Sequence, residues 1–430
     1  MATQQGFSTG IAAWRRLLKN KNVAWLWVGQ AVSQIGDGLS KVALLWFVYD
    51  LTGSALKMTM IGILQTVPPL LFGPFVGVLL DRVPKRLAMI VIDSVRAVFL
   101  FVIPSLYWMG MLTLPGLYVL VFVTAMFSTA FGPALKAMEP LLVESDQLTQ
   151  INALDQSTMT VGQLLGPAIS GMLIAIIGAQ NVLFVNAGTF LISALCKIPL
   201  KIEERLRRTK RTSPMHDAWI DLKEGIGFVF GRKRLMVLLM GVASVFTLGT
   251  TAFIYLLPVL AKDHFHLNSV ELGWLWASLS IGLLVVTVWM IGASPKGLCL
   301  RLWMIAAAAA LGGIAMFGLT IMNSFPLAAL LIVVIGASSG VVNPFVSASL
   351  QEQTPKYMMA RVFSVFNTGT LVAAMVGMTV CGYLADSMGP AISLAATAAV
   401  NVAAAIVTVA VIPFCQRLQS HGARARVVYG

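Results

Sequence analysis

Twelve long apolar stretches constrain this chain more than any other feature. They fall at 23–50, 57–80, 87–110, 114–134, 156–179, 181–200, 235–259, 270–292, 300–322, 326–348, 362–388 and 391–414. About 20 apolar residues are enough for a helix to cross a bilayer, so each stretch is a candidate span. Only 11% of the residues are charged and 58% are hydrophobic. Soluble domains usually carry about 25% charged residues, so there are too few charges here to cover a water-soluble surface of this size. An all-α membrane protein with twelve transmembrane helices is expected. The first apolar stretch is too long for a signal-peptide core and lacks a small-residue cleavage site, so it is expected to be retained.

The net charge of +13 does not point to nucleic acid. The basic residues form no groove-like pattern with interleaved aromatics; they sit between the apolar runs and at the ends. With the N-terminus inside, cytoplasmic segments hold 25 of the 30 Lys and Arg residues, and external loops hold Lys57 and Lys262. That asymmetry is the positive-inside pattern. It predicts both termini on the cytoplasmic side of a plasma (bacterial inner) membrane, with lipid as the surrounding partner.

The segment 201–234 is the largest polar interruption, with an amphipathic stretch from Trp219 to Phe230. Its basic residues suit a solvated linker with an interfacial helix. The expected organisation is a cytoplasmic segment 1–22, a six-helix bundle 23–200, the linker 201–234, a second six-helix bundle 235–414 and a tail 415–430. The halves resemble each other: at a shift of 211 residues, 133–178 aligns with 344–389 without a gap. Pro133 meets Pro344, Gly166 meets Gly377, Gly171 meets Gly382 and Gly178 meets Gly389. A same-direction repeat predicts two pseudo-symmetric bundles around a cavity.

Three local patterns carry candidate chemistry. Asp37 lies near the middle of the first span, and a charge at that depth costs about 2.5–3.5 kcal/mol, which marks it as functional by default. Lys41 follows at i+4 and is placed to neutralise it, while Gln30 and Gln34 extend the polar stripe. Asp37 is read either as a proton carrier or cation anchor, or as half of a structural ion pair. Asp93 and Arg96 repeat the theme in the third span, with Arg96 a countercharge for the cavity or a structural partner of Asp93. Tyr255, Asn343 and Asn367 are further cavity candidates, as are Trp25, Trp46 and Gln65.

The second pattern runs from Gly77 to Arg86, Gly-Val-Leu-Leu-Asp-Arg-Val-Pro-Lys-Arg. It resembles the G-x-L-x-D-R-x-G-R-[KR] loop of the major facilitator superfamily, with Pro84 in place of the second glycine and Lys85 in place of an arginine. The resemblance implies a gating latch at Gly77, Asp81 and Arg82, for which Glu139 is a candidate partner. The corresponding loop from Gly292 to Arg301 lacks the Asp-Arg pair, so the latch is one-sided. The third pattern, from Gly162 to Gly171, resembles the superfamily's antiporter-linked G-x-x-x-G-P-x-x-G-G motif, with Ser170 in place of a glycine. Gly162, Gly166, Pro167 and Gly171 are thereby candidate gating residues, since small residues let helices approach and proline bends them.

Within that superfamily, the segments Gly29 to Asp37, Leu51 to Ala55 and Gln351 to Ser364 look like the macrolide-efflux branch of drug–proton antiporters. The resemblance implies a proton-coupled exporter of an amphipathic drug or siderophore-like metabolite; alternating access by a monomer without a cofactor is expected. Asn152-Ala153-Leu154 is similar to lysophospholipid transporters, an alternative of the same class; a non-transporting receptor is the alternative of another class. No Ser/His/Asp, Cys/His or phosphate-loop constellation lies within the spans, so no enzyme is expected. Cys196, Cys299, Cys381 and Cys415 form no C-x-x-C, and the four histidines fall in polar connections, so neither a disulfide framework nor a metal site is expected.

Overall fold

The computed structural model describes residues 17–144, 147–201, 223–224, 226–231, 234–292, 297–322 and 324–428. The helices are α1 Lys21–Thr52, α2 Ala55–Asp81, α3 Lys85–Trp108, α4 Leu114–Thr129, α5 Phe131–Met138, α6 Leu148–Ile177 and α7 Ala179–Lys197. After the linker come α8 Arg234–Val259, α9 Ser269–Gly292, α10 Leu298–Gly318, α11 Phe325–Gln353, α12 Met359–Met388 and α13 Pro390–Val428. Of the linker, 202–222, 225 and 232–233 lie outside the described residues; the rest of the expected amphipathic stretch, 223–224 and 226–230, is helical.

Eleven spans among the described residues are long and apolar enough to cross a membrane, with α4 and α5 sharing one crossing. The twelfth crossing is α1, whose 32 residues include the polar stripe Gln30, Gln34, Asp37 and Lys41 that dilutes its hydropathy. The outward surface is built for lipid. Val98, Ile176, Leu311 and Ile406 are all more than half exposed, a pattern that water would penalise and hydrocarbon does not.

The described residues of Met1–Phe47 and Leu64–Met215 form one compact unit, and those of Val48–Ile63 and His216–Gly430 form another. The first unit has an apolar core at one end, where Val23, Met89, Ile92, Leu135 and Met138 meet. The second packs Met236, Phe246, Ile305, Val346 and Val362. In the second unit the first turn of α2 borrows its cap from α12. Asp386 accepts from the Ala55 amide at 2.6 Å and from the Leu56 amide at 3.2 Å. These are donors that a helix start cannot satisfy internally.

The internal repeat is visible in helix ends. α6 and α12 are both 30 residues long and start and stop at the same 211-residue shift. Each ends on a glycine with left-handed φ, Gly178 at +84° and Gly389 at +90°. With ψ of 151° and 160°, both sit in a region essentially reserved for glycine. Their amides close on Ile174 and Ala385, again 211 apart.

Candidate functional site: a charged cavity in the first unit

The position of Asp37 is set by what packs behind it. The α1 stretch from Gln34 to Gly38 lies directly on α6: a Cβ on Gly166 would fall 2.6 Å from the Gly38 Cα, and one on Gly162 would fall 2.8 Å from the Gln34 carbonyl oxygen. Pro167 meets the same face of Gly38, and the Ser170 hydroxyl donates to the Leu39 carbonyl at 2.8 Å. Gly36 faces α7, where a Cβ would collide with Asn186 and Thr189. Thus the antiporter-like motif of α6 is the bed on which the Asp37 segment rests. Gly171 is buried further along the same helix.

A cavity of about 320 Å³ opens in front of this segment. Asp37, Ser40 and Lys41 of α1 line it with Gln65 of α2, Arg96 of α3 and Asn186 of α7. Leu44, Leu100, Ile103 and Val121 make the remaining wall apolar. Thr124, Ser128 and Thr129 also line it, and each hydroxyl donates to the carbonyl four residues back. That leaves oxygen lone pairs, not donors, for a guest on the α4 side.

Arg96 Nη2 forms an ion pair with Asp37 Oδ1. The Arg96 side chain is 9% exposed and that of Asp37 41%, so the acid faces the opening and the base is held behind it. The guanidinium carbon lies 3.8 Å from the centroid of the Phe190 ring, a stacking contact that suits a weakly hydrated cation. Lys41 lines the same cavity one turn along α1. The ion-pair partner of Asp37 therefore comes from α3, 59 residues away, and not from its own helix.

Of the two partners open to Arg96 in the sequence, it is paired with Asp37 and not with Asp93. Asp93 is engaged elsewhere. Its Oδ2 lies 2.5 Å from Lys197 Nζ, and both side chains are fully buried. Lys197 also donates to the Ser193 hydroxyl at 2.6 Å. Sequence reasoning gave Lys197 no role, because a lysine closing an apolar helix is what an interfacial residue looks like. Only its packing against Asp93 shows that it turns inward.

The other candidates are more scattered. Gln30 is buried beside Glu139 and Asp155 in a separate narrow pocket and does not line the charged cavity. Asn343 lines a second cavity of about 330 Å³, within the other unit, with Thr250, Thr287 and Ser339 and no charged side chain. Tyr255 packs where a Cβ on Gly62 would meet its ring at 2.4 Å. Asn367 is exposed on α12 and is not part of that second cavity's wall.

At the α2–α3 loop, the surroundings of Gly77 and the side chain of Asp81 lie outside what is described, and Arg82 is exposed. Glu139 is paired with Lys136 at 3.1 Å, and Lys136 also holds Asp155 at 2.9 Å and Asn152 at 2.9 Å. The expected partner of Arg82 thus has a nearer cation, because Lys136 lies one turn away on the same piece of chain. The loop's other basic residues cap helix ends. Arg86 donates to the Lys197 carbonyl at 3.1 Å and to the Ile198 carbonyl, and Lys85 donates to the Leu80 and Val83 carbonyls. Cations at helix C-termini satisfy carbonyls and the macrodipole together.

A family model described as Major Facilitator Superfamily matches residues 26–378. The chain belongs to the Major Facilitator Superfamily. It is an integral membrane transporter of small molecules, and not an enzyme. Its relatives in this superfamily include macrolide efflux protein A of Streptococcus pyogenes, 26% identical over 85% of this chain and 89% of the relative. The multidrug efflux pump Tap of Mycolicibacterium fortuitum is 27% identical over 82% of this chain and 87% of the relative. Among solved structures, a mutant form of the nucleoside transporter NupG superposes with a TM-score of 0.73 at 13% identity, covering 91% of this chain and 99% of that one. A bacterial homolog of the human lysosomal transporter Spinster gives 0.74 at 11% identity, covering 93% and 98%. At such identities the structural likeness speaks for the fold.

Proposed function

We propose that this superfamily member exports an amphipathic small molecule in exchange for protons, with Asp37 as the proton-binding carboxylate and Arg96 as its countercharge. The observation that carries this reading is the Asp37–Arg96 ion pair on the wall of the 320 Å³ cavity, with the acid open to the cavity and the base recessed. A carboxylate so placed is held by one strong partner and remains reachable by water and cargo. Protonation or a cationic guest competes directly with Arg96 for it. The apolar remainder of the wall suits the greasy face of an amphipathic cargo. The names of the efflux relatives support the direction of transport.

In this reading the α6 residues Gly162, Gly166, Pro167 and Gly171 transmit rearrangement of the Asp37 segment to a neighbouring helix. The loop from Gly77 through Asp81 and Arg82 acts with Glu139 in gating. Lys41 and Asn343 tune the two cavities from their walls, while Gln30, Gln34, Tyr255 and Asn367 act from outside those walls. The protein works as a monomer in the plasma (bacterial inner) membrane with both termini cytoplasmic. At about 150 mV the membrane potential supplies roughly 3.5 kcal/mol per proton, enough to concentrate a neutral cargo by two to three orders of magnitude at one-to-one exchange.

The test uses proteoliposomes under an imposed pH gradient, with erythromycin, a siderophore and a lysolipid as separate probes. Wild-type protein is expected to accumulate at least one probe, and Asp37→Asn is expected to lose gradient-driven accumulation while still inserting and folding. Full accumulation by Asp37→Asn would remove Asp37 from the mechanism. Accumulation of the lysolipid alone would reassign the cargo.

A further inference from the structure

Two buried polar atoms on a single turn of α3 lack hydrogen-bond partners among the described residues: Arg96 Nε and Asp93 Oδ1. The first is a donor and the second an acceptor, and residues three apart on a helix are surface neighbours. Each atom has what the other needs. In the present arrangement Arg96 uses Nη2 for Asp37, and Asp93 uses Oδ2 for Lys197. One edge of each group is therefore spent and one is idle. Buried polar groups are rarely left idle, because the desolvation cost is not repaid.

We propose that Arg96 has two carboxylate partners, and that Asp93 is a positioning residue which receives the guanidinium whenever Asp37 gives it up. This rests on the reading of Asp37 as the proton site. The proton arriving from water adds to an Asp37 carboxylate oxygen, and no other bond to hydrogen changes; Arg96 and Lys197 keep their protons. A guanidinium does not deprotonate in a protein, so loss of the Asp37 charge leaves a recessed cation that must find another anion. Asp93 Oδ1 is the unused acceptor one turn away, and the Phe190 ring at 3.8 Å offers a face along which the guanidinium can turn. The charged groups around Asp37 are few: Lys41 on its own helix and Arg96 on α3 share its cavity wall, with Asp93 on α3 behind them, paired to Lys197 of α7. From α2, α4 and α6 the neighbours are uncharged. With Asp37 ionised, Arg96 pairs with Asp37 and Lys197 with Asp93, and Lys41 lines the cavity wall beside them. In the protonated state both cations share Asp93, one on each oxygen.

The double variant Asp93→Asn/Lys197→Met tests this, because it removes the spare anion and its lysine together and leaves the Asp37–Arg96 pair intact while Asp37 is ionised. With erythromycin in proteoliposomes, accumulation driven by a pH gradient should fall by roughly tenfold or more, since an unpaired buried cation now opposes protonation. Counterflow exchange without a gradient should stay close to wild type. Accumulation at the wild-type level would overturn the proposal and leave Asp93–Lys197 as packing. If Asp37→Asn loses accumulation but the double variant retains it, Asp37 keeps its role and the hand-over fails. If Asp37→Asn accumulates normally, both fall. A cargo-free measurement decides the case where the double variant loses both assays. Infrared difference spectra of the wild-type protein between neutral and acid pH should show the Asp93 carboxylate band perturbed as Asp37 protonates, with the band assigned through Asp93→Glu. An unperturbed Asp93 band would overturn the proposal.

Discussion

The third and sixth helices of each half pack on one another, but by opposite means. In the first half, α3 and α7 are joined by the buried Asp93–Lys197 pair and by Arg96 stacked on Phe190. In the second half, α10 and α13 are joined by smallness. A Cβ on Gly313 would fall 2.8 Å from Val402 and 3.1 Å from the Ala398 carbonyl oxygen. Ala308, Ala309 and Ala315 are buried on α10 as well, and the buried amide of Asn401 donates to Met316 Sδ at 3.0 Å. Small residues make the second interface a fixed close contact. Charges make the first an interface whose energy depends on who holds which proton. The same division separates the cavities: the first holds Asp37, Lys41 and Arg96, the second only uncharged groups.

The sharpest way to break this contrast is to orphan a charge. Lys197→Met should destabilise the protein by about 3–5 kcal/mol, because Asp93 is left buried without its cation. Thermal unfolding in detergent reads this, and Asp93→Asn/Lys197→Met should recover most of the loss; equal damage in both would mean that packing, not charge, dominates. Next in size are the glycine contacts. Gly166→Ala, aimed at the Gly38 backbone, and Gly313→Ala, aimed largely at the Val402 side chain, should each cost roughly 1–3 kcal/mol by overpacking. Because a side chain yields more readily than backbone, Gly166→Ala should be the worse of the two. Only Gly166→Ala should also slow transport, since it displaces the Asp37 segment, and a ranking reversed in both assays would end the distinction. The smallest effect tests what the halves share. Gly178→Ala and Gly389→Ala should lower stability by a similar amount, about 1–3 kcal/mol each, as both enter a backbone region closed to other residues. A large inequality in unfolding midpoint would show that the repeat is not preserved at these turns.

Much of the fold is legible in the chain because membranes impose a one-dimensional rule. A segment either is apolar for long enough or it is not, and all twelve expected spans correspond to helices, although α6 starts at Leu148 rather than 156 and α13 continues to Val428 rather than ending at 414. The repeat was readable for a similar reason, since glycines and prolines mark backbone geometry directly. The site was less legible. Asp37 announced itself by being a charge in hydrocarbon, but the nearest cation in sequence, Lys41, drew attention from Arg96, which is 59 residues away. The motif at Gly162–Gly171 read as a hinge of its own, and nothing local said that it is the surface on which Asp37 is mounted.

The sequence alone determined the class of protein, the number of crossings, the doubled architecture and the charges that hydrocarbon would not tolerate without cause. These are consequences of composition and spacing, which act along the chain. Which acid faces which base was decided only in three dimensions. The pairing of Asp37 with Arg96 and of Asp93 with Lys197 depends on how α1, α3 and α7 are rotated against each other. That rotation follows from contacts such as Gly38 on Gly166 and Gly36 on Asn186, made between residues more than a hundred positions apart.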